Sequence, residues 1–325
     1  MSTDNRFLDR FNKYFNEIDK ELEKSITSNV PLIREIGRHS LLGEGKRLRP
    51  LLFVLSALMN GYDKKDIYHM STIFEYIHCA SLLHDDVIDN AETRRRKPSA
   101  SSVWGNSAAV LTGDYMFSMA SGIAIESRAY NILETINDAA ARMTEGQVKE
   151  LVFTKKWDTG EEDYMDVITS KTADLISASC ASGALIAKAG NRECECLKQF
   201  GLNMGISFQM VDDLLDYSSS EKDFGKPVGK DVREGKITLP LIYAISEMSD
   251  IEAGEYSEIF INGSSNDDDY EELVIFVRKS GGIEKTRVKA EQYVEKAAEY
   301  LDNFPETPYR EDLRALNDYM TSRLY

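Results

Sequence analysis

From about Lys64 to Asp89 the chain is apolar almost throughout its middle, and neither proline nor glycine interrupts it. A stretch of that length fits a central helix surrounded by others, because a helix apolar on every side has to be covered on every side. Elsewhere apolar residues recur three or four positions apart, as at Phe7, Phe11, Phe15 and Ile18, and convincing period-2 alternation is absent. Only 7 prolines and 20 glycines punctuate the 325 residues, and no linker rich in Pro, Ser or Gly divides the chain into halves of different composition. The sequence therefore predicts an all-α fold in a single domain spanning residues 1–325.

Hydrophobic residues make up 42% of the chain and its net charge is −16, as expected of a globular protein with ample apolar surface to bury. The acidic balance argues against nucleic acid as a partner and makes any local basic cluster more informative. The opening residues, MSTDNRFLDRFNKYF, carry no secretory signal, and nowhere do 18 uncharged apolar residues run together. A cytoplasmic protein without an integral membrane segment is expected. Cys79, Cys180, Cys194 and Cys196 read as free or buried thiols in that compartment, and the lone C-x-C is a weak metal signal.

Breaks fall at "GEGKRLRP" (43–50), "TRRRKPSASS" (93–102), "KKWDTGEED" (155–163), "SSSEKDFGKPVGKDVREGK" (218–236) and "NGSSNDDDYEE" (262–272). Most read as solvent loops. The fourth is long and spaces Lys222, Lys226, Lys230, Arg233 and Lys236 among glycines, which suits closure over an anion. One long-range echo stands out. "LLHDDVID" at 82–89 returns as "QMVDDLLD" at 209–216, each an apolar run ending in Asp-Asp-x-x-Asp with a cationic loop after it.

Residues four apart share a helix face, so Asp85 pairs with Asp89 and Asp212 with Asp216. Two unit charges ~4 Å apart repel by ~4 kcal/mol at an effective dielectric near 20. Six carboxylates brought together would need hard divalent cations, and Mg2+ takes one or two carboxylates plus water and phosphate oxygens. A solvated acidic helix end explains one triad well enough; it explains two poorly. The cations nearby then suit the phosphate groups that Mg2+ also touches: Arg94 and Arg95 as bidentate grips, and Lys46, Arg47 and Arg49 beside the exposed amides of "GEGKRLRP". His78 lies about two turns before Asp85 and points to the same side, which makes it a candidate phosphate contact, whereas His39, His69 and His84 read as core or surface residues. Two acidic and several basic clusters imply two phosphorylated substrates.

These motifs together resemble the trans-isoprenyl diphosphate synthases, the polyprenyl synthetase family. The resemblance runs through "LLGEGKRLRP", "FEYIHCASLLHDDVIDNAETRRRKPS", "WGNSAAVLTGDYMF", "SKTADLISA", "FQMVDDLLDY" and "FGKPVGKDVREGKITLPL", and octaprenyl-type longer-chain members look most similar. It implies antiparallel helices around a deep central cavity, a homodimer, and Mg2+-dependent condensation of an allylic diphosphate with isopentenyl diphosphate, releasing pyrophosphate. By that resemblance Asp85, Asp89 and Asp212 bind Mg2+ and Asp86, Asp213 and Asp216 support them. Arg94, Lys171, Lys226 and Lys236, with Thr172 and Gln209, hold the allylic diphosphate. Lys46, Arg49, His78 and Arg95 hold isopentenyl diphosphate. One departure is Arg96, where the family usually has glycine, and it bears on the geometry at Arg95.

In this family, bulky side chains just before the first aspartate motif stop chain growth early. Here those positions are Ala80 and Ser81, so termination at farnesyl length is not expected. Ile77 and Phe74 lie one and two turns deeper, with Phe74 ~9 Å below Ala80. Phe74 is either the floor of the cavity or an ordinary core aromatic; a product of roughly twenty to forty carbons is expected, toward the longer half by resemblance. A metal-dependent phosphohydrolase, suggested by His84-Asp85, leaves the second triad unexplained. A terpene cyclase would lack that triad and the Lys-rich loop, and a non-catalytic subunit of a heteromeric synthase would have lost aspartates. The small-residue run "SASCASGALIAKAG" suits close packing, against a partner subunit or the chain's own core.

Overall fold

The computed structural model describes residues 7–43, 45–94, 97–218, 229–264 and 266–322. The chain is all-α, as the patterning predicts. Its helices are α1 (Asn12–Ser25), α2 (Pro31–Leu41), α3 (Leu48–Met59), α4 (Ile67–Ile88), α5 (Ala100–Trp104), α6 (Asn106–Glu126), α7 (Tyr130–Phe153) and α8 (Glu161–Ile168). A π turn, Thr169–Ala173, leads into α9 (Asp174–Ile186). There follow α10 (Asn191–Ser218), α11 (Lys230–Arg233), α12 (Leu239–Ile245), α13 (Asp250–Asn262), α14 (Asp267–Lys279), α15 (Gly282–Leu301) and α16 (Pro308–Ser322). Among the described residues the only sheet is a hairpin of Thr93–Arg94 on Lys97–Pro98.

The residues fall into two compact units, Met1–Ala140 with Ala178–Leu197 and Glu306–Leu313, and Ala141–Ser177 with Lys198–Pro305 and Arg314–Tyr325. In the first, α4 is the central element: α1, α2, α3 and α6 all pack on it. Phe74 and Ile77 are fully buried, and the Phe74 ring meets Phe53 of α3 with centroids 5.4 Å apart. Burying side chains of this size contributes about 1.5–3 kcal/mol each. The small-residue run turns to its own core: Ser179, Cys180, Ser182 and Ala184 are fully buried, and a Cβ at Gly183 would stand 2.6 Å from the Phe53 carbonyl oxygen. Helix α6 is long and apolar enough to cross a membrane by length and composition alone. It packs on α2, α4 and α5 within this unit.

In the second unit, Tyr164 and Ile168 of α8, Ala173 of the π turn, and Ile206, Met210 and Val211 of α10 form one apolar cluster with Leu239 and Ala290. The acidic run at 267–269, which the sequence suggests is part of a loop, is the first turn of α14. Asn266 caps it by accepting the Asp268 amide hydrogen, and acids are favoured there by the partial positive charge of a helix N-terminus. All four cysteines are free.

Candidate active site

In the first unit the Asp-Asp-x-x-Asp motif closes α4, with Asp89 at its C-cap. Its three carboxylates are not equivalent. Asp86 points inward, 3% exposed, and accepts the Nε hydrogen of Arg94 at 2.6 Å from the adjoining hairpin. Asp85 is half-buried and Asp89 exposed. His78, also half-buried, lies below Asp85 and its carbonyl accepts the Ser81 hydroxyl at 2.8 Å. Ala80 is buried and Ser81 half-buried. A small pocket of about 50 Å³ opens beside the Asp86–Arg94 pair, bounded also by His39, Cys79 and Lys97. His84 turns to α6, its Nε2 lying 3.2 Å from the Val110 carbonyl oxygen.

The basic turn before α3 divides its cations. Lys46 is exposed and Arg49 half-buried, but Arg47, read from sequence as a third phosphate grip, is 6% exposed. It adopts a left-handed backbone, φ 47°, which swings its side chain inward. Its guanidinium donates to Asp19 at 2.9 Å, Glu75 at 2.8 Å and the Gly43 carbonyl at 3.2 Å. Burial works against its charge, and the two carboxylates outweigh it, raising its pKa further. Arg47 is therefore a structural tie and its place among the phosphate contacts falls.

In the second unit the second motif closes α10 in the same style. Asp213 is buried and accepts two hydrogen bonds, from the Tyr164 hydroxyl at 2.6 Å and Gln209 Nε2 at 2.9 Å. Gln209 Oε1 in turn accepts the Thr172 hydroxyl at 2.9 Å. Lys171, the neighbour of Thr172 in the π turn, donates to Glu150 at 2.5 Å. Asp212 is half-buried. Asp216 accepts the backbone N–H groups of Lys230 and Asp231 at 3.2 and 3.0 Å, so it holds the far end of the basic loop at the start of α11. Lys236 lies 2.9 Å from Glu234. Arg95 and Lys226 lie outside the described residues.

The electrostatics of this cluster are those of crowded acids. Burial lifts Asp213 well above the usual carboxylate range, with the Asp231 charge adding to it against the Tyr164 and Gln209 hydrogen bonds. Burial likewise raises Asp216, opposed by the two amides, and pushes Asp231 up to about 7, helped by the Asp216 charge. Hard oxygen donors held at such cost suit a hard divalent cation. Among the described residues no three His, Cys, Asp or Glu side chains form a cage. Glu150, Tyr164 and Asp231 escape the sequence reading. Asp231 had a visible signal, since it lies in the quoted basic loop; the other two had none.

The polyprenyl synthetase family model matches residues 30–277. Heptaprenyl diphosphate synthase component 2 of Bacillus subtilis (strain 168) is 35% identical over 312 residues, covering 95% of this chain and 87% of the relative. Octaprenyl diphosphate synthase of Escherichia coli (strain K12) is 35% identical over 299 residues, 92% of each chain. The crystal structure of a polyprenyl synthase from Caulobacter crescentus CB15, complexed with calcium and isoprenyl diphosphate, superposes with a TM-score of 0.92 at 33% identity, covering 98% of this chain and 97% of that one. Other matching proteins are named for products from geranylgeranyl to decaprenyl. A chain with two aspartate motifs built alike, matched along nearly its whole length by these synthases, belongs to the polyprenyl synthetase family and is a prenyltransferase.

Proposed function

We propose that the protein is a Mg2+-dependent (all-E) polyprenyl diphosphate synthase that condenses isopentenyl diphosphate with an allylic diphosphate and releases pyrophosphate. The observation that carries this reading is the shared construction of the two motifs. Each locks one aspartate in the fold, Asp86 by Arg94 and Asp213 by Tyr164 and Gln209, and each leaves Asp85 and Asp89, or Asp212, at least partly open to solvent. Asp85 and Asp89 of the first unit would hold magnesium, as would Asp212 of the second, with Asp213 and Asp216 as further carboxylate ligands beside it. Bound there, the metal supplies charge neutralisation to the diphosphate that departs. Arg94, Lys171, Lys226 and Lys236 offer charged donors to the same group, Thr172 and Gln209 orient it, and these fixed donors favour the state in which negative charge has moved onto pyrophosphate. Lys46, Arg49, His78 and Arg95 hold isopentenyl diphosphate, whose double bond attacks the allylic carbon. The released pyrophosphate takes the final proton.

The product has roughly twenty to forty carbons, by small Ala80 and Ser81 above Ile77 and Phe74, and the longer half is supported by the octaprenyl relative. A homodimer working in the cytoplasm completes the reading. Leu111 and Ile125 on the outer side of α6, 64% and 50% exposed, support a partner there rather than on the small-residue run. The decisive experiment incubates the purified chain alone with labelled isopentenyl diphosphate and each of dimethylallyl, geranyl, farnesyl and geranylgeranyl diphosphate, with Mg2+ or with EDTA. Elongated products only with Mg2+ are expected. Phosphate release without elongation would point to a phosphohydrolase, and no turnover without a second chain would point to one component of a heteromer.

A further inference from the structure

Lys171 and Thr172 sit in a π turn, where the Asp174 amide donates to the Thr169 carbonyl five residues back. Such turns are less favourable than α-helix and recur at functional sites, so the surroundings have to hold this one. Two helices do so in the same way, each through a segment that lies in the second unit. On α7, a Cβ built at Gly146 would stand 2.6 Å from the Lys171 amide nitrogen and 2.9 Å from Ser170 Cβ. On α10, a Cβ at Gly205 would stand 2.6 Å from Ala173 Cα and 2.9 Å from Ala173 Cβ. These distances are far inside van der Waals contact. One helical turn along, on the same face, each helix then supplies a polar partner: Glu150 Oε2 accepts Lys171 Nζ, and Gln209 Oε1 accepts Thr172 Oγ1. Gly146 with Glu150 and Gly205 with Gln209 are thus two i,i+4 pairs, each a gap for the backbone of the turn and a hook for its side chain.

From this juxtaposition we infer that Gly146, Gly205 and Glu150 are positioning residues for the allylic diphosphate, acting through Lys171 and Thr172; the inference rests on the synthase reading above. A lysine ammonium swings on a flexible four-carbon stem. Glu150 takes one of its three donor positions and fixes where the other two point, so the entropy of ordering the stem is spent before substrate arrives. The two side chains are 24% and 20% exposed, enough shelter for the pair to persist. Glu150 is an acceptor by either carboxylate or amide chemistry, so Glu150→Gln keeps the hook while Glu150→Ala removes it.

The test measures initial rates of the full chain with Mg2+ against each substrate in turn, for Lys171→Ala, Glu150→Ala, Glu150→Gln, Gly146→Ala and Gly205→Ala, with thermal melts alongside. Glu150→Ala is expected to raise the allylic KM about ten-fold, the effect of losing a charged hydrogen bond. Glu150→Gln should recover most of it, and KM for isopentenyl diphosphate should stay within about two-fold. The glycine variants should raise the allylic KM likewise; if either fails to fold, the contrast between the Glu150 variants decides. An allylic KM unchanged or lowered in Glu150→Ala, or raised equally for both substrates, overturns the inference. An allylic KM unchanged in Lys171→Ala overturns instead the role of Lys171 in the synthase reading, so the two failures are distinct.

Discussion

Arg47 offers the sharpest test of how the first unit is held together. Its guanidinium joins α1, α4 and the turn before α3 through Asp19, Glu75 and Gly43, and those bonds hold a left-handed backbone that costs a non-glycine residue about 1 kcal/mol or more. The three partners are not equal. Side-chain exposure is 6% for Arg47 and 8% for Glu75, but 53% for Asp19. Arg47→Met would leave the Glu75 carboxylate buried without its counter-charge, a loss of about 3–5 kcal/mol. Glu75→Gln keeps an acceptor on the guanidinium and leaves Asp19 and the Gly43 carbonyl in place, so it should cost about 1–3 kcal/mol. Replacing both, as Arg47→Met with Glu75→Leu, removes the stranded charge and should recover most of the loss.

The measurement is urea unfolding with thermal melting of the three variants. At about 2.1 cal/mol/K per residue, 325 residues give an unfolding entropy of roughly 0.7 kcal/mol/K, so 4 kcal/mol lowers Tm by about 6 °C. Lys46 and Arg49 flank Arg47 in sequence, so the single Arg47 variant should also raise KM for isopentenyl diphosphate. Equal, small losses in the two single variants, or a double variant as unstable as the sum of its parts, would show that the buried pair does not organise the turn.

Three further outcomes are expected. Tyr164→Phe takes one of two donors from buried Asp213 and should cost about 1–3 kcal/mol, seen as a lower urea midpoint with a higher Mg2+ requirement; no change in either refutes its supporting role. Phe74→Ala removes the ring packed on Phe53 and should destabilise by about 3–5 kcal/mol. If Phe74 is also the cavity floor, product chromatography shows longer chains, and an unchanged length removes it from that role. Burial opposes ionisation of Glu161, but hydrogen bonds from Lys289 and Tyr243 outweigh it and hold its pKa below the ordinary 4.5. The stability this gives is present above 4.5 and is lost as pH falls through the lower folded value. Glu161→Gln should therefore flatten the fall of Tm on acidification, and an unaltered profile would contradict the pairing.

What was legible in the sequence was whatever depends on near neighbours. Periodicity gave the helices, and the central one, expected from about Lys64 to Asp89, runs Ile67–Ile88. The two aspartate motifs were legible because a spacing of four sets two carboxylates on one helix face. Partners far apart in sequence were not: Lys171 is 21 residues from Glu150, and Tyr164 is 49 from Asp213. Arg47 reads from sequence like Lys46 and Arg49 because neighbouring cations look alike until the backbone turns one of them inward. Residues 267–269 read as a loop because polar runs suggest solvent, although Asn266 followed by acids is also a helix start.

Each described cation proposed for the allylic diphosphate already has a carboxylate partner: Arg94 has Asp86, Lys171 has Glu150 and Lys236 has Glu234. In a chain of net charge −16, the far field repels an anionic substrate rather than drawing it in. Affinity must then arise at contact, where a paired ammonium or guanidinium turns its remaining donors to phosphate and the carboxylate keeps the group charged and in place. Salt discriminates the two regimes. At 0.15 M ionic strength, interactions beyond about 8 Å between exposed charges are largely screened, while sheltered pairs are screened much less. Raising ionic strength from near zero to that value, at fixed free Mg2+, should change kcat/KM for the allylic substrate by less than about three-fold in either direction. A fall of ten-fold or more would mean that long-range attraction guides the substrate, and that the local pairs described here are not what sets its affinity.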